Sequence, residues 1–278
     1  MSLRLRIRSF TQQRQKSIFS ATVVLAITFA LSAILGFLRT RLLYSFFFKC
    51  CLIELDAYNA AFRIPDLIFK LLVTGALSAS FIPVFSSYLH KDKQEAYRMA
   101  SSVINLLLIF FSAISLIALI FAHPLSRLIA QGFSPYQIDL MSNLSRILLI
   151  AQIFFLISNF LTAILQVNQT FIIPALSPII YNLVIILSIY TLAPNFGIYG
   201  VVWGVVIGAF FHMAIQIPST KRLGFVYYKI ASFKFSGVKE IVRLMIPRTL
   251  SLGLSEIEST VTLFFASSLS AGSISLLN

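Results

Sequence analysis

An uncharged run of 22 residues, Ser17 to Leu38, follows five basic residues near the start of the chain (Arg4, Arg6, Arg8, Arg14 and Lys16). As an α-helix such a run rises about 33 Å at 1.5 Å per residue. That matches the hydrocarbon core of a bilayer, about 30 Å thick. It exceeds the apolar core of a signal peptide, roughly 7–15 residues, so it reads as a membrane span that is kept. Comparable stretches recur at 56–88, 100–122, 146–166, 171–192, 198–217 and 241–269. Turn chemistry separates them at Pro124, Gly132 to Pro135, Pro174, Pro194 to Gly197 and Pro218. The pattern predicts an all-α, polytopic membrane helix bundle of about seven transmembrane helices.

The balance of residues agrees. Hydrophobic residues make up 58% of the chain and charged residues 11%. About a quarter charged is usual for a soluble domain, so water alone cannot solvate this surface. The net charge of +13 would suggest nucleic acid in a soluble protein. Here the basic residues sit between apolar runs, where the positive-inside rule explains them. With the N-terminus placed in the cytoplasm, the inner segments hold 14 Lys and Arg and the outer segments 5. The expected divisions are a basic cytoplasmic N-terminus (1–17), spans one to six (18–218), a basic cytoplasmic loop (219–240), and a seventh span with the start of an eighth (241–278).

Catalytic signatures are missing. The sequence has no GxSxG, HExxH, Walker A or dinucleotide fingerprint. Cys50 and Cys51 are adjacent and the three histidines are scattered, so no metal or disulfide framework can be drawn. A non-enzymatic protein without a cofactor is expected.

Arg63, Lys70 and Arg248 fall inside spans. A charge at the bilayer centre costs roughly 2.5–3.5 kcal/mol on insertion scales, so such residues face a bundle interior or a hydrated cavity. In the second span Asp56, Asn59, Arg63, Asp66, Lys70, Thr74 and Ser78 are three or four residues apart and share one helical face. Asp66 lies three residues from Arg63 and four from Lys70, within reach of local pairing. Pro65 predicts a bend and Gly75 a second soft point. The seventh span places Arg248, Ser251, Ser255, Glu258 and Thr262 on one face, and Glu256 on another where it needs its own partner. The first span presents Thr28, Ser32, Gly36 and Arg39, the fourth Gln152, Asn159 and Gln166. The economical expectation is one shared polar cavity whose cations suit an anionic ligand such as a phosphate. Gly200, Gly204 and Gly208 predict close helix packing in the sixth span.

The segments LGFLRTRLL from Leu35 and LDAYNAAFRIPDLIFKLLVTGALSASFIPVFSSYL from Leu55 resemble the MurJ/MviN family. Members are lipid II flippases of the multidrug/oligosaccharidyl-lipid/polysaccharide exporter superfamily. QVNQTFIIPALSPIIYN and the stretch from Met245 to Asn278 look like later parts of the same family. The resemblance implies alternating access at the inner membrane around a cationic cavity that holds the pyrophosphate and sugar head of lipid II. It implies Arg39 and Arg63, which match the family's basic positions, as substrate-binding residues, and the in-span cations Lys70 and Arg248 are expected to join them. Asp56, Pro65, Gly75 and Ser78, which match the family's second-span motif, are the cavity or gating residues it implies, joined by Asn59, Asp66 and Glu258 from the helical spacing above. The chain departs from the family pattern at Ala33, Thr40, Phe69, Glu256 and Glu258. Members have about 14 helices in two lobes, so the resemblance implies the first lobe plus one helix, a truncated or split form that needs a C-terminal half. Lipid II and membrane lipid are the partners implied, with no nucleic acid. A small-molecule exporter of the same superfamily and a non-transporting remnant are the competing readings.

Overall fold

The computed structural model describes residues 18–48, 50–74, 80–269 and 272–277. Among them there is no strand, and the chain forms a multi-pass helical bundle. The first span is α1 (Ile18–Phe47). The second is not one helix. It is α2 (Leu52–Ala61), α3 (Arg63–Phe69), a π-helical turn (Lys70–Thr74) and α4 (Ile82–Lys91). The third is α5 (Lys93–Ile120), followed by the short α6 (Ala122–Ile129). The fourth, α7 (Pro135–Val167), is followed by α8 (Ile172–Thr191), the single turn α9 (Ala193–Phe196) and α10 (Ile198–Ala214). A short α11 (Ile217–Arg222) precedes α12 (Ser236–Ala266) and α13 (Ser273–Leu277).

Among the described residues five helices are long and apolar enough to cross a membrane: those at 25–47, 93–120, 135–167, 172–191 and 198–222. The other two expected spans are helical in the expected places. One is broken into pieces, and α12 dilutes its apolar run with Ser, Thr and two glutamates. Large apolar side chains such as Phe29, Phe37, Leu116, Ile120 and Leu187 point outward, as lipid-facing helices require.

Local chemistry sets the helix ends. The fourth helix begins eleven residues before the expected Arg146, because Ser134 and Gln137 form a capping box and Pro135 occupies the first turn. Asp92 caps α5 by accepting from the backbone N–H of Gln94 at 2.7 Å. Pro65 has no N–H to give the Ala61 carbonyl. Ser145 on α7 donates to that carbonyl at 2.8 Å instead. A neighbouring hydroxyl thus restores the bond that the proline removes.

Helix α7 runs through the middle and shares two cores. One gathers Phe81, just before α4, with Phe85, Phe111 and Phe160 from α4, α5 and α7, and Phe81 and Phe160 meet edge to face at 4.9 Å. The other joins α1, α2, α7, α8 and α10. The predicted glycine row lies where α10 meets α8. A Cβ on Gly204 would stand 1.9 Å from Ser188 Oγ, and one on Gly208 2.9 Å from the Tyr181 ring. Only the missing side chains let the two backbones approach.

The expected loop at 219–240 is more ordered than its charge suggests. Its start is α11, its end is the first turn of α12, and residues 225–235 lie along α5. Asn105 donates to the carbonyls of Tyr228 and Ile230 at 3.0 and 2.8 Å. Ser102 accepts from the Ser232 N–H at 2.7 Å. A polar row on the third span therefore replaces the strand or helix partners this segment lacks. Helix α12 starts early because Gly237 packs flush on Tyr88 and Met99, and its N–H reaches Tyr88 Oη at 2.9 Å.

Candidate functional site

A cavity of about 460 Å³ opens between the second span and α12. Asn59, Phe62, Arg63, Asp66 and Lys70 line one wall. Glu258, Ser259, Thr262, Leu263 and Ala266 line the other, with Ile274 of α13 at the end. The three-and-four spacing of the second span carries through the junction of α2 and α3, since Phe62 keeps right-handed helical angles and the Asp66 N–H still reaches the Phe62 carbonyl at 2.9 Å. The polar stripe therefore survives the break.

The ion pairing differs from the expected one. Asp66 accepts from Gln152 Nε2 of α7 at 2.8 Å. Neither cation beside it in sequence is its ion-pair partner. Arg63 Nη2 and Lys70 Nζ lie 3.0 and 2.9 Å from the carboxylate of Glu256 on α12. Arg63 also donates to Thr260 Oγ1 at 2.9 and 3.1 Å and to the Glu256 carbonyl. The cause is burial: the Arg63 and Glu256 side chains are 12% and 9% exposed, and two buried charges are tolerable only when paired. An acid on the facing helix meets the cations end-on, which neighbours on the same helix cannot do as well. Thr249 adds one more bond between these walls, donating to the Leu71 carbonyl at 3.0 Å.

Several expected site residues lie elsewhere. Asp56 is 2% exposed and does not line the cavity. Its carboxylate accepts from the Gly272 N–H, from the Ser275 N–H at 2.8 Å and from Ser275 Oγ at 2.6 Å. It ties α2 to the start of α13, with Asn59 donating to Ser275 Oγ at 3.1 Å beside it. Pro65 is buried in the first turn of α3. Arg39 lies over the Tyr181 ring at 5.9 Å. The polar face of α1 meets α8, where Asn182 reaches the Ser32 carbonyl at 3.3 Å and approaches Gly36. It does not join the shared cavity. Arg248, Ser251 and Ser255 are exposed on α12, because between Ile241 and Glu256 that helix turns only one face, with Met245, Thr249 and Gly253, to the bundle. Gly75 and Ser78 fall outside the described residues.

Sequence reasoning left Glu256 without a partner and passed over Thr260, Ser145 and Ser275. The signal for Glu256 was present: an acid off the polar face of an apolar helix must meet a cation from another element. Nothing in helical periodicity names that element.

A multi-pass helical bundle with paired charges around a cavity is the build of a polytopic membrane protein. The particular family follows from comparison. The family model described as "Lipid II flippase MurJ" matches residues 52–278, and the chain belongs to that family. A probable lipid II flippase MurJ of Bdellovibrio bacteriovorus is 30% identical over 273 residues, which is 95% of this chain and 51% of that one. Its counterpart in Borreliella burgdorferi is 28% identical, over 93% of this chain and 50% of that one. Among solved structures, a lipid II flippase MurJ in an inward closed conformation superposes with a TM-score of 0.75 at 28% identity, over 92% of this chain and 53% of that one. An outward-facing MATE-family multidrug resistance transporter of the MOP superfamily gives 0.68 at 18% identity, over 96% and 60%, which is a likeness of fold. The chain spans about half the length of the curated relatives it matches.

Proposed function

We propose that the chain forms the first lobe of a lipid II flippase and acts with a second lobe. The single observation that supports this most is the pair of cations, Arg63 and Lys70, in the cavity wall of a MurJ-family bundle. Their donors suit the pyrophosphate of an undecaprenyl-linked peptidoglycan precursor. In this reading the protein sits in the inner membrane with its N-terminus in the cytoplasm, in keeping with 14 basic residues in the inner segments against 5 in the outer ones. Residues 18–218 make spans one to six, 219–240 the basic cytoplasmic loop and 241–278 the seventh span and the start of an eighth. In this reading Arg39 and Arg248, which do not line the cavity, are substrate-binding residues as well. Like its relatives' proposed role, the action is transport and not catalysis.

One observation favours a second reading. Asp66 and Glu258 share the cavity wall with the cations, and Glu256 adjoins it. Three acids near two bases would also suit a cationic small molecule.

The experiment is rescue of cells depleted of their own MurJ. The chain is expressed alone and fused to the C-terminal half of a family member. Rescue by the fusion only is the expected result. Rescue by neither, with both inserted in the membrane, overturns the flippase reading in favour of the small-molecule one.

A further inference from the structure

Helix α12 is attached to the bundle in an uneven way. Near its start Gly237, Val238 and Ile241 are buried, and at its end Ala266 is buried. Between them Glu256 alone among the residues of the helix is buried. Leu250, Leu254 and Ile257, which flank it, are 67%, 72% and 59% exposed. The ends are held by apolar packing and close glycine contacts. The middle is held by polar bonds to the second span, chiefly Glu256 on Arg63 and Lys70 at 3.0 and 2.9 Å.

Those two attachments differ in kind. Apolar packing has no competitor in a cavity. An ion pair has one: any anion that reaches the cations. Lys70 is the reachable partner, since its side chain is 45% exposed and it lines the cavity. A phosphoryl group carries more charge and more acceptor oxygens than one carboxylate, and Arg63 and Lys70 together present donors for it. It cannot take both cations while Glu256 holds them.

We propose, building on the flippase reading above, that Glu256 is a built-in counter-anion. It holds the middle of α12 against the second span while the cavity is empty, and a pyrophosphate headgroup displaces it. Ligand entry then frees α12 at mid-length, so occupancy of the cavity is coupled to the position of one of its walls. A ligand shifts such an equilibrium only through its unequal affinity for the two states, and competition for the same cations supplies the difference. The coupling is reciprocal: removing Glu256 must tighten the anion.

The test uses the full chain in lipid nanodiscs, with inorganic pyrophosphate as the probe. Glu256→Gln keeps the shape and removes the charge. Pyrophosphate should bind at least about tenfold tighter to this variant, as expected when a buried like charge is removed from the site. Spin labels at Leu254→Cys on α12 and Ile150→Cys on α7, with Cys50 and Cys51 replaced by serine, report the position of α12. Their separation should lengthen on adding pyrophosphate to the Glu256 protein, and should be long without ligand in Glu256→Gln. Glu258→Gln is the control. It removes a charge from the same cavity, so it tightens the anion without moving α12. An unchanged label separation in Glu256→Gln overturns the proposal. So does a separation lengthened equally by Glu258→Gln. If pyrophosphate binds neither protein, the headgroup assignment falls together with the flippase reading, while the label separation without ligand still decides whether Glu256 holds the helix.

Discussion

Ser145 offers the sharpest quantitative handle on how the broken second span is supported. Its hydroxyl donates to the Ala61 carbonyl at 2.8 Å, and both residues are fully buried. No water can replace the hydroxyl in Ser145→Ala, so the carbonyl is left without a donor. A buried unsatisfied group costs about 1–3 kcal/mol. Interhelical side-chain bonds in membrane proteins average about 0.6 and reach about 1.7 kcal/mol. The expected loss is therefore about 1–1.5 kcal/mol. The carbonyl is orphaned only because residue 65 is proline. In Pro65→Ala the backbone N–H returns and can take the carbonyl itself, so Ser145→Ala should then cost about 0.5 kcal/mol or less. The coupling in the double-mutant cycle should be about 1 kcal/mol. Reversible unfolding of the four proteins in mixed micelles, followed by helical circular dichroism, measures it. An equal cost of Ser145→Ala in both backgrounds would refute the reasoning, since the hydroxyl would then be doing something other than standing in for the missing N–H.

Three further outcomes are expected. In a background with Cys50 and Cys51 replaced by serine, Asn59→Cys and Asp66→Cys on the cavity wall should react with a charged, water-soluble thiol reagent, and Ile64→Cys and Ile68→Cys, buried in a core, should not. Equal labelling on both faces would mean that no hydrated cavity runs along the second span. Gly204→Val should separate α8 from α10 and destabilise by roughly 1–3 kcal/mol as an overpacked contact, with partial recovery in combination with Ser188→Gly; a lowered midpoint that Ser188→Gly leaves unchanged would place the strain elsewhere. Asp56→Asn offers one acceptor oxygen in place of two to Gly272 and Ser275, so it should cost about 1.5–3 kcal/mol and speed amide exchange at Ser275. Unchanged exchange there would mean that Asp56 does not hold α13.

The membrane spans and the polar stripe were legible because they are properties of single helices. Apolar length measures the bilayer, and a three-and-four spacing selects a face. Asn59, Arg63, Asp66 and Lys70 do share a wall for that reason. What the spacing cannot supply is the neighbour that a face meets. The polar face of α1 looks as fit for a cavity as that of the second span, yet it meets Asn182 of α8. The seventh span's row from Arg248 to Thr262 splits, with Glu258 and Thr262 in the cavity wall and Arg248 exposed, because the path of α12 is set by its ends. The pairing of Arg63 and Lys70 with Glu256 depends on how two helices cross, and local sequence separation gave Asp66 instead. The early start of α7 was readable at Ser134 and Gln137, but an apolar run marks only the part of a helix that lies in lipid.

The end supports of α12 have a mechanical meaning. The helix is a beam propped at both ends, about 43 Å apart by its 1.5 Å rise per residue from Gly237 to Ala266. Pro247 lies inside it, about 15 Å from the first support, and at that point one rung of the backbone ladder is missing. A bend of roughly 20° there, with neither support released, bows the beam sideways by about 3 Å, given the lengths set by the helical rise. That is the width of one water molecule. The seam between α12 and the second span can thus part by that width beside Pro247, and by only about half as much at Glu256, while the bundle around it stays assembled.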